Sequence, residues 1–221
     1  MAKSSKPNLA QDLLRIHMII TRGLDVSIEN TERFAAEGFA SRQLRGGYRD
    51  YVTALLSFIS AHHLSEDEVA FPYFEERLPE VPFDRLQEEH ERIEEMLERA
   101  GEQLEGFDDE LEPALRGLGA ELREIRELWH PHISIEEEHF NVERLAEMLP
   151  VEEHLRVSAE MGKLSIEHAE PTYLVVPFAL YNLPAGERGT LIRNMPPKVI
   201  DELVPVVWKE KWAPMKPFLL E

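Results

Sequence analysis

Apolar side chains recur at spacings of three and four residues from position 9 to position 149, and acidic side chains fill many of the positions between them. Residues at this spacing line one face of an α-helix, so the pattern favours amphipathic helices over strands. The prolines of "RLPEVPFD" interrupt the pattern after residue 77, because proline lacks an N–H donor and restricts the residue before it. The pattern predicts four helices: 9–34, 42–77, one carrying residues 86–97, and 113–149.

Short connections between these segments predict an all-α fold, with residues 9–149 forming an up-and-down four-helix bundle. Composition changes at Pro150, since residues 150–221 contain nine of the 15 prolines and two of the three tryptophans. We expect residues 150–221 to form a proline-rich, mainly helical C-terminal extension. Its apolar run "PTYLVVPFALYNLP" fits either a buried strand or a short core helix. The segments "PAGERGTLIRNMPP" and "PKVIDELVPVVWKEKW" are typical of short helices, the first opened by Pro184.

Charge and cysteine content narrow the chemistry of this chain. Lys and Arg total 24 against 43 Asp and Glu, a net charge of −19, which repels phosphate backbones and anionic lipids, so neither nucleic acid nor a membrane is an expected partner. The absence of cysteine excludes disulfides and thiolate metal sites, so a metal would need nitrogen and oxygen ligands. The first residues, "MAKSSKPNLAQDLL", hold no apolar signal segment, and a cytoplasmic location is expected.

Two His-x-x-x-Glu pairs extend the apolar faces of the second and fourth helices. His62 and Glu66 form the first pair, in "FISAHHLSEDEVAFPYF", and His132 and Glu136 form the second, in "WHPHISIEEEHF". Residues four apart in a helix project from the same face. Both pairs are therefore expected to point into the interior of the bundle.

A further histidine precedes each pair at a similar distance: His17 lies 45 residues before His62, and His90 lies 42 residues before His132. In antiparallel helices these positions fall near one end of the bundle, so the repeat brings imidazoles and carboxylates into one central space. Burying such groups without a counter-charge costs several kcal/mol each. A pair of metal ions would supply that charge, and nitrogen with oxygen ligands suits iron, manganese or zinc. The predicted ligands are His17, His62, Glu66, His90, His132 and Glu136.

The other histidines are given lesser roles. His63 follows His62 directly and is rotated from it by about 100°, so we expect it at the boundary of the bundle and not among the ligands. Pro131 is expected to kink the fourth helix. Four histidines remain: ordinary roles are expected for His154 and His168, and minor roles beside the site for His130 and His139.

The motifs "HHLSEDEVAFP" and "HPHISIEEEHF" resemble the two His-x-x-x-Glu motifs of the hemerythrin-like, HHE cation-binding proteins, over about residues 9–149. The resemblance implies a four-helix bundle that holds a non-haem di-iron centre, in which the four histidines supply nitrogen ligands and Glu66 and Glu136 bridge the ions. Oxygen-carrying hemerythrins have a second histidine four residues after the ligand of the third helix, whereas residue 94 of this chain is a glutamate. This difference weakens the case for reversible oxygen carriage.

The leading hypothesis from the sequence is a di-iron protein that binds or senses dioxygen or another small diatomic molecule, or that handles iron. One alternative is an oxygen-activating or peroxide-reducing di-iron enzyme that uses open metal positions. Another is a metal-free helical interaction module with the acidic bundle as its scaffold. Whether the chain is an enzyme, and in which oligomeric state it works, stays open at this stage.

Overall fold

The computed structural model describes residues 7–193 and 195–220, and no β-strand occurs among them. The first six helices are α1 (Leu9–Glu37), α2 (Arg42–Ser65), α3 (Phe71–Glu75), α4 (Phe83–Glu105), α5 (Leu111–His139) and α6 (Val142–Met148). The C-terminal part adds α7 (Val151–His168), α8 (Thr172–Tyr181), α9 (Gly189–Arg193) and α10 (Lys209–Trp212). Helices α1 and α4 each pack against both α2 and α5. These four helices form the predicted bundle, and the all-α prediction is confirmed.

The second helix of the bundle differs from its prediction. Instead of running unbroken to residue 77, α2 passes into a π-helical turn at Glu66–Ala70, and α3 then ends at Glu75. Pro72 explains the widened turn, because it has no N–H to donate to the carbonyl of Glu68, four residues earlier. The backbone N–H of Phe71 bonds instead to the carbonyl of Glu66. A turn of this kind is often found at functional sites.

The prediction of one helix over residues 113–149 is wrong at its C-terminal end. Helix α5 continues through Pro131 and ends at His139, where Phe140 leaves helical geometry. Asn141 then caps α6, its side chain accepting a hydrogen bond of 2.9 Å from the backbone N–H of Arg144. A side-chain cap of this kind favours a new helix start over continuation of the old helix.

The extension is helical and lies against α2. Helices α7 and α8 and a 3₁₀ segment, Ala213–Phe218, all pack on α2. The apolar run that fitted a strand or a helix is helix α8. The segment "PAGERGTLIRNMPP", predicted to be a short helix from Pro184, becomes helical only at α9. The segment "PKVIDELVPVVWKEKW" contains a π-helix, Val199–Val207, followed by α10.

The interior of the extension is continuous with that of the bundle. Phe178 and Phe218 belong to the same apolar cluster as Tyr51 and Leu55 of α2. Buried polar contacts add to this packing: Tyr51 Oη donates to Asn182 Oδ1 at 2.8 Å, and Arg22 of α1 donates to the carbonyl of Phe218 at 3.0 Å. The division of the chain near residue 150 into two units remains a prediction.

No helix in the described part of the chain is long and apolar enough to cross a membrane. Residues 1–6, which begin the segment examined for a signal peptide, lie outside the described residues, as does Asn194 in the first predicted short helix.

Gly47→Ala is expected to lower the free energy of unfolding by about 1–3 kcal/mol, the usual range for overpacking. A Cβ atom at Gly47 would clash with the backbone carbonyl of Pro214, so the C-terminal segment would have to shift relative to α2. The adjacent Gly46 is the matched control, because a Cβ there meets no heavy atom within 4 Å. Gly46→Ala should be neutral or stabilise by up to about 1 kcal/mol. Equal free energies of unfolding for the two variants, measured with urea, would contradict this docking of the extension.

Candidate metal centre

A layer of buried polar side chains interrupts the apolar interior of the bundle. The larger apolar cluster, with Ile59 and Trp129, lies on one side of this layer, and a smaller cluster, with Phe71 and Phe83, lies on the other. Each residue of the layer is 5 % exposed or less: His17, His62, His63, Glu66, His90, His132 and Glu136. The layer therefore contains all six predicted ligands and one further histidine, His63, which was not predicted to be among them.

The polar layer contains two overlapping groups that could each hold a metal ion. In each group the ligand atoms all lie within 4.8 Å of one another. The first group consists of His17, His62, Glu66 and Glu136, and the second of Glu66, His90, His132 and Glu136. Both carboxylates belong to both groups.

Each carboxylate lies between histidines of the two sequence repeats. Glu136 Oε2 is 3.2 Å from His17 Nε2, and Glu136 Oε1 is 3.4 Å from His132 Nε2. Glu66 Oε2 is 3.3 Å from His62 Nε2 and 3.6 Å from His90 Nε2. A carboxylate in such a position can give one oxygen atom to each of two ions or share one oxygen between them.

Three of the imidazoles are oriented by carboxylates outside the centre. The Nδ1 atoms lie 2.9 to 3.0 Å from carboxylate oxygens in the pairs His17–Glu137, His90–Asp67 and His132–Glu89. An ionised carboxylate only accepts hydrogen bonds, so each Nδ1 is the donor in these pairs, and Nε2 of the neutral imidazole then presents a lone pair to the centre. Histidines that bind metal ions usually have a carboxylate or carbonyl partner of this kind. Asp67, Glu89 and Glu137 therefore hold the three imidazole rings in position by hydrogen bonds.

Several atoms that face the centre have no hydrogen-bond partner among the described residues. They include Nε2 of His17 and His62, Oε2 of Glu66 and both carboxylate oxygens of Glu136. Buried polar atoms are hydrogen-bonded in the great majority of cases. A cation at the centre would satisfy these atoms together.

The spacing of the inner nitrogens also fits a metal ion. His90 Nε2 and His132 Nε2 are 3.0 Å apart, although neither atom has a proton to donate when its Nδ1 is protonated. Two nitrogens that each lie about 2.1 Å from one ion, at right angles to each other, are about 3.0 Å apart. The donor set and its spacing therefore fit a bound metal.

Burial and neighbouring charges shift the pKa values of Glu66 and Glu136 in opposite directions. Burial raises the pKa of Glu66 well above its usual range, and the Glu136 and Asp67 carboxylates act in the same direction. Burial alone would also raise the pKa of Glu136, but the His132 and His17 imidazoles outweigh it and hold this pKa well below its usual range. Two carboxylates in one dry space thus need positive charge between them, from protons or from metal ions.

Burial is also the largest influence on the imidazoles. It lowers the pKa of His62 and of His63 well below the usual value, and neighbouring imidazoles add to the effect. For His17, burial lowers the pKa, but the nearby carboxylates of Glu136 and Glu137 outweigh burial and raise it overall. Neutral imidazole is the form that binds a metal ion, and burial favours it at His62 and His63.

His63 does not lie at the boundary of the bundle, so the expectation from the sequence is wrong. Its ring stacks on that of His90 with centroids 4.0 Å apart, and it forms a third possible metal-binding group with His90 and His132. Helix α2 contacts α1, α4, α7 and α8, so a rotation of about 100° from its central face still leads into the protein. The His-His doublet was the available signal, but its use required knowing that α4 and α5 pack against this side of α2.

The remaining histidines take no part in these groups within the described residues. His154 accepts a 3.2 Å hydrogen bond from the backbone N–H of Leu9, and His168 is exposed, so both are ordinary, as expected. His130 is exposed, and His139 is half-buried at the end of α5.

Trp129 forms one wall of the centre. Its ring is fully buried and lies 5.4 Å from that of His17 and 6.1 Å from those of His62 and His132. Its Nε1–H donates to Thr21 Oγ1 at 2.9 Å, which fixes the indole and leaves an apolar face toward the imidazoles. This wall excludes water from that side of the centre.

A helical bundle with a dry layer of histidines and glutamates defines this chain as a cation-binding protein. The family model described as the hemerythrin HHE cation binding domain matches residues 8–142. The match covers more than half of the chain and includes the whole polar layer, and the chain belongs to this family. Searches of curated proteins and of solved structures gave no match.

Proposed function

We propose that this chain is a non-haem di-iron protein whose centre binds dioxygen or another small diatomic ligand. The observation that carries the proposal is the convergence of unpartnered imidazole nitrogens and carboxylate oxygens on two overlapping groups that share Glu66 and Glu136. Membership of a cation-binding family supports the same conclusion.

The proposed ligands divide between the two ions by their position. His17 and His62 would hold the first ion, His90 and His132 would hold the second, and Glu66 and Glu136 would contact both. Iron suits this mixture of imidazole and carboxylate, and manganese or zinc would also fit it. When bound, two iron ions supply redox chemistry and open coordination positions.

His63 supports ligand binding at the second ion. The sequence lacks the second histidine that oxygen-carrying hemerythrins have on their third helix, where this chain has Glu94. Here a third imidazole comes from α2, since His63 lies with His90 and His132 in one group. His63 would supply the missing nitrogen from a different helix, which supports the binding of a diatomic ligand at this ion.

The surroundings of the centre favour a small ligand. Trp129 and Phe71 lie against the imidazoles, with Phe71 stacked 5.4 Å from His90. Such walls exclude bulk water and leave little room beside the ions on these sides. The carboxylates behind the imidazoles, Asp67 and Glu137 among them, hold the inward nitrogens in place.

A second candidate function is an oxygen-activating or peroxide-reducing di-iron enzyme. One observation favours it: an apolar cavity leads from α7 and α8 to His62 and Glu66, where a substrate could approach. A metal-free interaction module is disfavoured, because it would leave the unpartnered atoms of the polar layer buried without compensation.

Elemental analysis of protein purified from iron-replete cells is expected to give two iron ions per chain, one for each of the two groups. The ultraviolet and visible absorption of the reduced protein should change when dioxygen or nitric oxide is admitted. An iron content of one ion per chain or none, measured on protein purified in air from these cells, would contradict the proposal of a two-iron site. Two ions without any spectral response to either gas would contradict the binding of a diatomic ligand while leaving the metal centre in place.

A further inference from the structure

A cavity of about 160 Å³ lies between the bundle and the C-terminal extension. Its walls come from α1, α2, α7, α8 and the region of α9, and most of the side chains on them are apolar, such as Phe58, Met161 and Val176. At its inner end the lining includes His62 and Glu66. The cavity thus joins the extension to the polar layer of the bundle.

We infer that this cavity binds a neutral, apolar organic molecule of about the size of toluene, with one end against His62 and Glu66. An apolar cavity of about 150 Å³ in a protein core is large enough to bind benzene. The present cavity has a similar volume and a similar lining. Apolar pockets with a few polar groups at one end are the usual form of small-molecule sites.

The charges on the walls decide between neutral and ionised ligands. The lining, taken over the described residues, contains no lysine or arginine. Its remaining ionisable group besides His62 and Glu66 is Asp12, which is paired with Arg193 at 3.0 Å and accepts from Ser158 Oγ at 2.8 Å. In the metal-free protein an anionic ligand would be buried beside the Glu66 carboxylate with no lysine or arginine on the walls, which is unfavourable. A cationic ligand would compete with Arg193 for Asp12.

Gly162 is a position from which a substitution can fill the cavity. It lies inside helix α7 and lines the cavity, and a Cβ atom built on it meets no heavy atom within 4 Å. Glycine is unfavourable inside a helix compared with alanine, and no close neighbour requires it here. A larger side chain at this position would extend into the space that the ligand needs.

The test uses two probes of similar size, the neutral 4-fluorotoluene and the anionic 4-fluorobenzoate, titrated by calorimetry into the full-length protein in its metal-free form. 4-Fluorotoluene should bind saturably at one site per chain, and 4-fluorobenzoate should bind at least tenfold more weakly. Gly162→Leu should weaken 4-fluorotoluene binding at least tenfold. Val176→Phe, which fills the cavity from α8, should act in the same way, and keeps the test decisive if one variant fails to fold.

Gly101→Leu is the matched control. Gly101 also lies inside a helix, α4, and a Cβ atom there also meets nothing within 4 Å, but the residue does not line the cavity. It should bind 4-fluorotoluene with the affinity of the wild type. Absence of saturable binding to the wild type, equal affinities of Gly162→Leu and Gly101→Leu, or tighter binding of 4-fluorobenzoate would each overturn the inference.

The position of the ligand beside the centre rests on the proposed function and has its own measurement. Fluorine NMR of bound 4-fluorotoluene should show a line broadened by paramagnetic iron in the iron-loaded protein and a sharper line in the metal-free protein. Binding without broadening in iron-loaded protein would overturn the placement against His62 and Glu66. Binding by a protein that takes up no metal would contradict the proposed function alone and leave the cavity as a binding site.

Discussion

Glu136→Gln is expected to remove both metal ions from the purified protein. Glu136 belongs to both four-residue groups, and its two oxygens face His17 and His132. Glutamine keeps the size of the side chain but removes the negative charge and replaces one oxygen with an amide nitrogen that cannot bind a cation. Loss of a residue that merely orients a ligand costs about 10 to 100-fold in metal affinity, so loss of a shared ligand should exceed that. Elemental analysis and chelator competition measure the effect.

Glu138→Gln is the control for this substitution. Glu138 lies on the same helix, carries the same charge and is exposed to solvent. Glu138 belongs to none of the possible metal-binding groups. The metal content of Glu138→Gln should therefore match that of the wild type. If Glu136→Gln retains two metal ions per chain, the proposal that both ions share the Glu136 carboxylate is wrong.

His62→Ala and His63→Ala are expected to damage different halves of the centre. His62 belongs to the group that contains His17, whereas His63 lies with His90 and His132. Each variant should therefore lose affinity for one ion more than for the other, and each should change the absorption spectrum in its own way. Stepwise metal titration, read by calorimetry and by absorption, separates the two affinities.

His63→Phe distinguishes metal binding from packing. Phenylalanine preserves a ring that can stack on His90, as the imidazole does at 4.0 Å, but it has no nitrogen. If His63 binds metal, His63→Phe should resemble His63→Ala in its metal affinity while being more stable to heat. If His63→Phe restores normal affinity, the imidazole only packs. His130→Ala removes an exposed histidine from α5 and should behave as the wild type.

The sequence by itself determined the bundle and six of the seven residues of its polar layer. The spacing of three and four residues between positions 9 and 149 reflects the period of the α-helix, a local property that needs no tertiary information. The two His-x-x-x-Glu pairs and the earlier histidines fall on the apolar faces, and antiparallel packing brings such faces together. The structure accordingly places all six of these residues within one buried layer. Their roles as ligands remain a prediction.

Only the tertiary structure decided the features that depend on residues distant in the sequence. His63 is buried because α4 and α5, with His90, Trp129 and His132, pack against a side of α2 that the helical pattern alone assigns to the boundary. The apolar run around Pro177 is a helix because it packs on α2, and its composition fits a strand equally well. The cavity beside His62 exists because helices from both parts of the chain meet there without filling the space. Periodicity specifies which face of a helix is apolar, whereas packing between helices decides what covers each face. Here that packing adds His63 to the group of His90 and His132, which the sequence had not indicated.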